Sequence, residues 1–452
     1  MTKIGLEIHG YLNTKEKLFC KCKALHGAKI AKPNTSICPI CTGQPGAKPM
    51  LPNKTAIDNV IKISMILGCK INKKLIWQRK HYDWADLPKG YQNTISGSNS
   101  VPIGEKGEFL GIKIRGAHLE EDPAAWNPKT GEIDYNKSGT PLVEIVTDPD
   151  FTEPQQVIDW LKQLVITLGY VKAIDNNAGI KADVNISTEG ERVEIKNVNS
   201  LKNIKAALEY ELIRQKKEKP LVKETRMFDE TEGKTIKMRE KETEKDYRFI
   251  SDPDLPMIQL SEERIKKIKE IVPETPQEKL KKLIAKNNID KNSAEVLSKK
   301  IEIAQFFEEV AKKIDAKFAV PWITIELLRV LNYNKSSLDS PEVEIKPEHF
   351  IELLQLLKQQ KITEQQAKKM LNDFFPKSFS PSTKVKGNEK ITDEKEIENI
   401  TEKVLKENKK AVTDYLAGEE SALNFLIGQI MKESRGRADI KIIRKIITKK
   451  IN

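Results

Sequence analysis

Two side chains that could do acid–base or metal chemistry lie close together near the start of the chain. Residues 5–9 (GLEIH) form an apolar, β-prone stretch, which predicts a buried strand. Side chains two positions apart in a strand point to the same face, so Glu7 and His9 would emerge together. A buried carboxylate needs a partner, and a metal ion or a substrate would supply one.

Four of the five cysteines form a second candidate site. One residue separates Cys20 from Cys22, two separate Cys38 from Cys41, and 15 residues lie between the two pairs. Thiolate pairs joined by a short loop can bind Zn²⁺ tetrahedrally. Four protein ligands leave no open position, so we expect a structural zinc site. A redox pair formed by Cys38 and Cys41 is the alternative.

Further acidic residues lie in or beside predicted strands. They are Glu120, Glu121 and Asp122 after His118, Glu144 within the apolar run 141–146, Asp183 on a face shared with Asn185, and Glu194 on a face shared with Lys196. A carboxylate inside an apolar strand is costly unless it is paired or bound to a metal, and several such strands would form one polar site. Mg²⁺ prefers oxygen ligands and commonly joins carboxylates to substrate phosphates. The alternative for any single carboxylate is a satisfied ion pair, and His9 could bond a phosphate or orient a carboxylate instead of binding Mg²⁺.

Basic residues that could hold phosphates fall into two sets. The segment 79–92 interleaves Lys80 and Lys89 with aromatic residues, a pattern that suits base stacking and phosphate contacts but also an ordered surface loop. The second set is Arg226, Arg239, Lys241 and Arg248. Phosphoryl transfer needs such positive groups around the developing charge. The sequence has no P-loop, protein-kinase or Gly-x-Ser-x-Gly motif, so any ATP site would be of a less common type.

The elements that would position these residues are short strands mixed with a few helices. Apolar patterning predicts strands at 3–8, 110–116, 140–146, 182–187 and 191–198, and helices at 56–67, 154–168 and 201–216. Few strands alternate with helices, which argues against a doubly wound parallel sheet. We therefore expect a cradle-like α+β domain with a mostly antiparallel sheet over residues 1–260.

The rest of the chain is predicted to be helical. Ser261, followed by two glutamates, is typical of a helix start, and amphipathic helices then follow one another over residues 261–375. A segment rich in Pro and Ser begins near residue 376, which predicts a linker over 376–391. A last helical unit is expected over residues 392–452.

The charge of the chain indicates a polyanionic partner, with nucleic acid as the first choice. The net charge is +12, and residues 432–452 hold an excess of six positive charges, half of the total. The candidate contacts to an RNA backbone are Lys432, Arg435, Arg437, Lys441, Arg444 and Lys445. A composition that is rich in lysine throughout is the alternative explanation.

The sequence predicts a cytoplasmic protein. An odd number of cysteines, four of them in metal-like pairs, argues for a reducing compartment. Residues 1–3 lead directly into a predicted strand without a secretory signal, and no stretch approaches the roughly 20 apolar residues of a membrane helix.

Short stretches that are typical of one protein family lie at residues 5–9, 38–46, 86–92, 118–122, 141–146, 194–200, 224–226, 246–248, 252–256, 428–432 and 436–438. Taken together, these stretches make the chain resemble the B subunits of aspartyl/glutamyl-tRNA amidotransferases. The resemblance extends over nearly the whole chain. One departure is Lys181, which stands where the family usually has Arg and which lacks the two-pronged geometry of a guanidinium.

The resemblance implies an ATP-dependent reaction in two steps. The side-chain carboxylate of Glu-tRNA(Gln) or Asp-tRNA(Asn) is phosphorylated, and ammonia from a partner amidase (A) subunit then displaces the phosphate, while a small C subunit supports the other two. It also implies that Glu7, His9, Glu121 and Glu144 bind Mg²⁺ in the catalytic site, with Glu120 and Asp183 nearby. The candidates for ATP or phosphate contacts are Lys80, Lys89, Lys196, Arg226, Arg239 and Arg248. The resemblance further implies that zinc is structural and that the C-terminal tail binds tRNA.

Two alternatives stay open at this point. The paralogous archaeal subunit acts only on Glu-tRNA(Gln), but it is expected to carry an inserted synthetase-like domain for which 452 residues leave no room. A non-catalytic, zinc-containing RNA-binding protein would have no need of Glu7, Glu121 or Glu144.

Overall fold

The computed structural model of the chain describes residues 1–25, 31–82, 84–98, 100–175, 179–240, 247–385, 389–391 and 393–451, without the side chains of Asn197, Arg239 and Glu240. The chain divides into two compact units, Met1–Thr275 and Pro276–Asn452.

The first unit is built around a large sheet. Its strands are β1 (Lys3–Tyr11), β2 (Lys70–Ile71), β3 (Lys74–Leu75), β4 (Gln78–His81), β5 (Gln92–Thr94), β6 (Gly104–Phe109), β7 (Ile112–Glu121), β8 (Ala125–Trp126), β9 (Ile133–Asp134), β10 (Pro141–Thr147), β11 (Ile180–Ser187), β12 (Val193–Val198), β13 (Glu224–Asp229), β14 (Lys234–Glu240), β15 (Arg248–Ser251) and β16 (Ile258–Gln259). The main sheet has the order β14-β13-β12-β11-β1-β10-β7-β5-β4-β15, with β6 beside β7 and β2 beside β6. Among the described strands of this sheet only β12 and β13 pair in parallel. The predicted α+β class with a mostly antiparallel sheet is confirmed.

Four helices accompany this sheet, namely α1 (Lys54–Ile66), α2 (Pro154–Tyr170), α3 (Leu201–Glu218) and α4 (Glu262–Ile271). Helix α1 packs against β6 and β7, and α3 packs against β11, β12 and β14. On β1, Leu6 and Ile8 are almost completely buried. Because side chains alternate along a strand, this burial leaves the opposite face of β1 to Glu7 and His9.

One strand prediction is wrong in its placement. Apolar patterning predicts a strand over residues 110–116, but Leu110 and Gly111 have φ angles of 50° and 77° and form the turn of a β6–β7 hairpin. Two positive φ angles are typical of the two-residue turns that suit twisted hairpins. The second strand therefore begins at Ile112 and runs on through Glu121, which places the acidic run at its far end.

The second unit is helical. Its helices are α5 (Pro276–Asn287), α6 (Lys291–Leu297), α7 (Ile301–Ala311), α8 (Ala316–Pro321), α9 (Leu328–Tyr333), α10 (Pro347–Lys358), α11 (Glu364–Asn372), α12 (Ser382–Val385), α13 (Glu394–Glu407), α14 (Lys409–Leu416), α15 (Glu420–Glu433) and α16 (Ile440–Ile451), with a π-helical turn, Trp322–Leu327, between α8 and α9. One apolar core in this unit contains Phe307 and Phe350, and a separate core contains Ile397 and Ile430. The boundaries at residues 260, 375 and 391 stay a prediction. Within the described ranges, no helix has the length and apolar character that crossing a membrane requires.

Candidate functional site

Four neighbouring strands bring the predicted carboxylates together. Antiparallel pairing of β1 places His9 opposite Glu144 of β10 and Glu7 opposite Asp183 of β11. The next strand, β7, contributes Glu120, which lies opposite Leu142 of β10. The register of the sheet thus gathers residues that are up to 176 positions apart in the chain, from Glu7 to Asp183.

These side chains line a cavity of about 730 Å³ in the first unit. Its lining includes the acidic residues Glu7, Asp86, Glu120, Asp122, Glu144 and Asp183, the basic residues His9, Lys80, Lys181 and Lys196, and the aromatic residues Tyr11, Tyr82, Trp84 and Tyr247. Tyr11 continues the face of β1 that carries Glu7 and His9, so the alternation of that strand could have indicated it from the sequence. Tyr82 also lines the cavity and belongs to the aromatic and basic segment 79–92, whereas Thr225 and Tyr247 lie in the family-like stretches 224–226 and 246–248 without having been named as site candidates.

Two groups of residues, all of which line the cavity except Glu194, have the donors and spacing to hold a cation. His9, Glu120 and Glu144 form one group, and Glu7, Asp183 and Glu194 form the other; within each group the donor atoms lie within 4.8 Å of one another. In the first group, His9 Nε2 lies 3.6 Å from Glu144 Oε2. Glu120 accepts hydrogen bonds from Thr94 Oγ1 at 2.5 Å and from Gln92 Nε2 at 3.3 Å.

The electrostatics of the cavity favour an added cation. Burial, followed by the charge of Glu144, raises the pKa of both Glu7 and Glu120 above the usual range of a carboxyl group. Burial opposes a charged His9, but its hydrogen bond to Glu144 raises the pKa of the imidazole to about 9. The repulsion between the remaining carboxylates is thus only partly compensated by the groups of the chain itself.

Asn185 gives a second indication of a cation. Its Nδ2 donates to Glu7 Oε1 at 3.1 Å, whereas its buried Oδ1 has no hydrogen-bond partner in the part of the chain that the structure describes. Buried polar atoms are rarely left unsatisfied, and an amide oxygen is a suitable ligand for a hard cation. The donors present therefore fit Mg²⁺.

Two lysines bring positive charge to the cavity. Lys196 Nζ lies 2.9 Å from Asp183 Oδ2 and 2.6 Å from Glu194 Oε1. Lys80 Nζ lies 4.8 Å from the centre of the Tyr247 ring. Burial opposes the charge of Lys80, but Glu120 and Glu144 raise its pKa above the usual value of a lysine. Both ammonium groups are thus expected to stay charged beside the carboxylates.

The structure does not bring Glu121 to either cation group. Glu121 accepts a hydrogen bond from the backbone N–H of Asn93 at 2.9 Å and pairs with Lys89. It follows Glu120 directly in β7, so its side chain points to the opposite face of the sheet. Lys89, the ion-pair partner of Glu121, is likewise not among the residues that line the cavity.

Two of the predicted arginines, Arg226 and Arg248, do not line the cavity. Arg226 is buried in an ionic network, with Nε 3.2 Å from Glu211 Oε1 and Nη1 3.0 Å from Glu224 Oε2. Arg248 is exposed on β15, at an edge of the sheet. The side chain of Arg239 and all of Lys241 lie outside the described residues.

The four cysteines converge as their spacing predicts. The Sγ atoms of Cys20, Cys22, Cys38 and Cys41 lie within 4.8 Å of one another, and we call this group the cysteine cluster. A hydrogen bond from Cys20, and then the backbone N–H of Cys38 and the charge of Lys17, lower the pKa of Cys41 against the effect of burial. Convergence of four sulfurs, rather than two, supports a metal site over a redox pair.

The basic residues of the tail are at the surface. Lys432, Arg435, Lys441, Arg444 and Lys445 are exposed on or beside α15 and α16. Arg437 is half-buried, and its Nη2 lies 3.8 Å from Glu396 Oε1.

Comparison with known proteins defines the class to which this architecture belongs. Residues 2–266 match the GatB/GatE catalytic domain, and residues 305–451 match the GatB domain. The chain is therefore similar to these proteins in both the sheet that carries the cavity and the helical tail.

Relatives that match the chain over their full length identify the family within this class. Over its whole length the chain is 44% identical to the B subunit of the aspartyl/glutamyl-tRNA(Asn/Gln) amidotransferase of Methanocaldococcus jannaschii, covering 98% of that protein. It is 43% identical to the protein of the same name from Methanothermobacter thermautotrophicus, over 99% of the chain and 100% of that protein. Identity to the Methanopyrus kandleri protein of that name is 41%, over 100% of the chain and 98% of that protein. The chain belongs to the family of these amidotransferase B subunits.

Proposed function

We propose that the chain is the ATP-dependent subunit of a tRNA-dependent amidotransferase, a carbon–nitrogen ligase that acts on Glu-tRNA(Gln), Asp-tRNA(Asn) or both. The names of its relatives support the substrate class. The observation that carries the proposal is the cavity in which carboxylates of both cation groups lie beside Lys80 and Lys196. Phosphoryl transfer to a carboxylate requires this kind of site, because negative charge has to be gathered and neutralised at one point.

The chemistry explains why ATP is needed. A carboxylate is a poor acyl donor, so its oxygen first attacks the γ-phosphorus of ATP and ADP leaves. Ammonia then attacks the carbonyl carbon of the acyl phosphate, and phosphate leaves as the amide forms. Lys80 and Lys196 would attract the phosphate oxygens in both steps, and the cavity would limit access of water to the acyl phosphate.

Mg²⁺ is the proposed cation of this site. His9, Glu120 and Glu144 would hold one ion, which would displace the proton that His9 carries. Glu7, Asp183 and Glu194, with Asn185 Oδ1, offer a second position. Bound Mg²⁺ would neutralise charge on the phosphoryl oxygens and carboxylates. Glu120 thus replaces Glu121 in the proposed ligand set.

The remaining parts of the proposal concern structure and partners. The cysteine cluster would hold Zn²⁺ in a closed, structural site. A partner amidase (A) subunit would release ammonia from glutamine, and a small C subunit would complete a heterotrimer. The exposed basic residues near α16 would contact the tRNA backbone. Location in the cytoplasm stays a prediction.

Amidation of misacylated tRNA tests the proposal. The chain would be purified with its A and C partners and supplied with ATP, Mg²⁺ and ammonium, with Glu-tRNA(Gln) and Asp-tRNA(Asn) assayed separately. Glu7→Gln should abolish conversion without loss of tRNA binding, whereas Glu191→Gln, at an exposed position of the same unit, should have no effect. If the wild type binds tRNA but converts neither substrate, the catalytic proposal is wrong and the chain is a non-catalytic RNA-binding protein.

A further inference from the structure

Lys17 is a buried lysine beside the cysteine cluster. Its side chain is almost fully enclosed, with 1% of the residue exposed. Within the described ranges, no carboxylate lies within 4.0 Å of its Nζ atom. A buried ammonium is costly unless an anion or a full set of hydrogen bonds compensates its charge.

The groups that Lys17 does contact belong to the cysteine cluster and to the loop beside it. Nζ donates to Cys41 Sγ at 3.4 Å and to the backbone carbonyl of Tyr135 at 3.2 Å. The carbonyl carries no net charge, so the sulfur is the only one of these two acceptors that can become an anion. A thiol does so when it binds a metal, because a coordinating thiol is deprotonated.

We infer that Lys17 is the counter-cation of the cysteine cluster and that it determines how tightly the cluster holds its metal. This inference rests on the proposed zinc site. Four thiolates around a divalent ion carry a formal excess of two negative charges, and the sulfurs of Cys20 and Cys41 belong to residues that are only 6% and 5% exposed. The ammonium of Lys17 neutralises part of that charge where water cannot reach.

Lys17 also connects the cluster to the loop that leads into β10. The backbone of Gly139 packs closely against both Lys17 and Cys41. If residue 139 had a Cβ atom, that atom would lie 3.7 Å from Lys17 Cδ and 3.6 Å from Cys41 Cβ. The carbonyl of Gly139 accepts a hydrogen bond from Leu18 N at 2.7 Å, and Ser138 Oγ donates to the carbonyl of Cys41 at 2.6 Å. Loss of the metal would allow Cys41 to bind a proton and would thus remove the anion that Lys17 contacts in this packed region. Lys17 is therefore a positioning residue for the metal and has no part in the proposed reaction.

Metal affinity of the full-length chain tests the inference. Zinc-loaded protein would be titrated with the chromophoric chelator 4-(2-pyridylazo)resorcinol, and the zinc dissociation constant would be compared for the wild type, Lys17→Met and Lys17→Arg. We expect Lys17→Met to weaken zinc binding roughly 10- to 100-fold, as loss of a group that supports a metal ligand commonly does. Lys17→Arg retains the positive charge and should stay closer to the wild type.

Lys21 provides a matched control. It lies between Cys20 and Cys22 in the chain, but its side chain is 72% exposed and its Nζ pairs with Glu16 Oε2 at 3.0 Å. Lys21→Met removes the same charge from the same loop and should change the zinc affinity by no more than about twofold, because exposed charges interact weakly.

The outcomes separate the two proposals. A wild type that binds no zinc overturns the zinc site itself. A wild type that binds zinc with the same affinity as Lys17→Met overturns the role of Lys17. If circular dichroism shows that Lys17→Met does not fold, Lys17→Gln takes its place, since its amide can still donate to Cys41. Equal zinc affinities of Lys17→Gln and Lys17→Arg would then contradict a role that depends on charge.

Discussion

Glu120 and Glu121 are adjacent in β7, yet their carboxylates lie on opposite faces of the sheet. Glu120 accepts from Thr94 Oγ1 at 2.5 Å and belongs to the group with His9 and Glu144. Glu121 accepts from Asn93 N at 2.9 Å and pairs with Lys89. Two side chains with identical chemistry are therefore expected to have different effects on cation binding.

The first prediction separates these two glutamates. Glu120→Gln should raise the Mg²⁺ concentration that gives half-maximal amidation by roughly tenfold or more, because it removes one anionic ligand. Glu121→Gln should leave that concentration unchanged, whatever its effect on the rate. The measurement is a Mg²⁺ titration with free ammonium as the nitrogen donor. A larger shift for Glu121→Gln than for Glu120→Gln would contradict the ligand set.

The second prediction concerns pH and Asp86. Burial, aided by the charge of Asp122, raises the pKa of Asp86 to about 6, and its Oδ1 has no hydrogen-bond partner within the described residues. A carboxyl group whose pKa is higher in the folded chain binds more protons there than in the unfolded chain. Its contribution to stability is therefore present below about pH 4 and is lost as the pH rises through 6.

Asp86→Asn removes this dependence. Relative to the wild type, the variant should gain about 1 kcal/mol in free energy of unfolding between pH 4 and pH 7, a value reduced for the partial exposure of Asp86. Urea unfolding at both pH values measures the difference. If the variant and the wild type differ in free energy of unfolding by the same amount at pH 4 and at pH 7, Asp86 does not titrate in this way.

The third prediction distinguishes Arg226 from Lys196. Arg226 is 8% exposed and Glu211 is fully buried, and Arg214 is the second arginine that pairs with Glu211. Arg226→Met thus removes one of two buried partners of Glu211 and should cost about 1.5–3 kcal/mol in free energy of unfolding. At a temperature well below its melting point, the variant should keep the KM for ATP. Lys196→Met should instead raise the KM for ATP, because Lys196 lines the cavity. A raised KM in Arg226→Met with unchanged stability would restore Arg226 as a phosphate contact.

The fourth prediction concerns the tail. Lys441, Arg444 and Lys445 are exposed on α16. Their joint replacement by alanine should weaken tRNA binding and reduce its salt dependence. Each phosphate contact contributes roughly 0.7–0.9 to the slope of log affinity against log salt, so the loss of three should lower the slope by about 2.

Replacement of two lysines on α14 provides the control for the tail. Lys409 and Lys410 are exposed in the same unit but lie outside the basic stretch 432–452. Their double alanine variant should keep the wild-type slope. Equal slopes for the α16 and α14 variants would argue against a specific role of α16.

The predictions that held from sequence are those that depend on local periodicity. Alternation along residues 5–9 was enough to place Glu7 and His9 on one face, and the spacing of the cysteines was enough to predict that their sulfurs meet. The predicted helix 154–168 corresponds to α2, Pro154–Tyr170, because its apolar residues recur with the helical period. In these cases neighbours in the chain carry the information.

What lay beyond the sequence depended on register and on contacts between distant segments. The choice between Glu120 and Glu121 depends on how β7 pairs with β10, and one residue of slip would exchange their faces. The guanidinium group of Arg226 is suited to binding phosphate, but in the folded chain it pairs with Glu211 of α3. Nothing in the sequence distinguishes Lys17 from a surface lysine, whereas in the folded chain it is buried beside Cys41. The sequence by itself thus determined which chemical groups are available and the local faces they share. Only the tertiary structure decided which of them meet, because burial and pairing across strands are set by the whole fold.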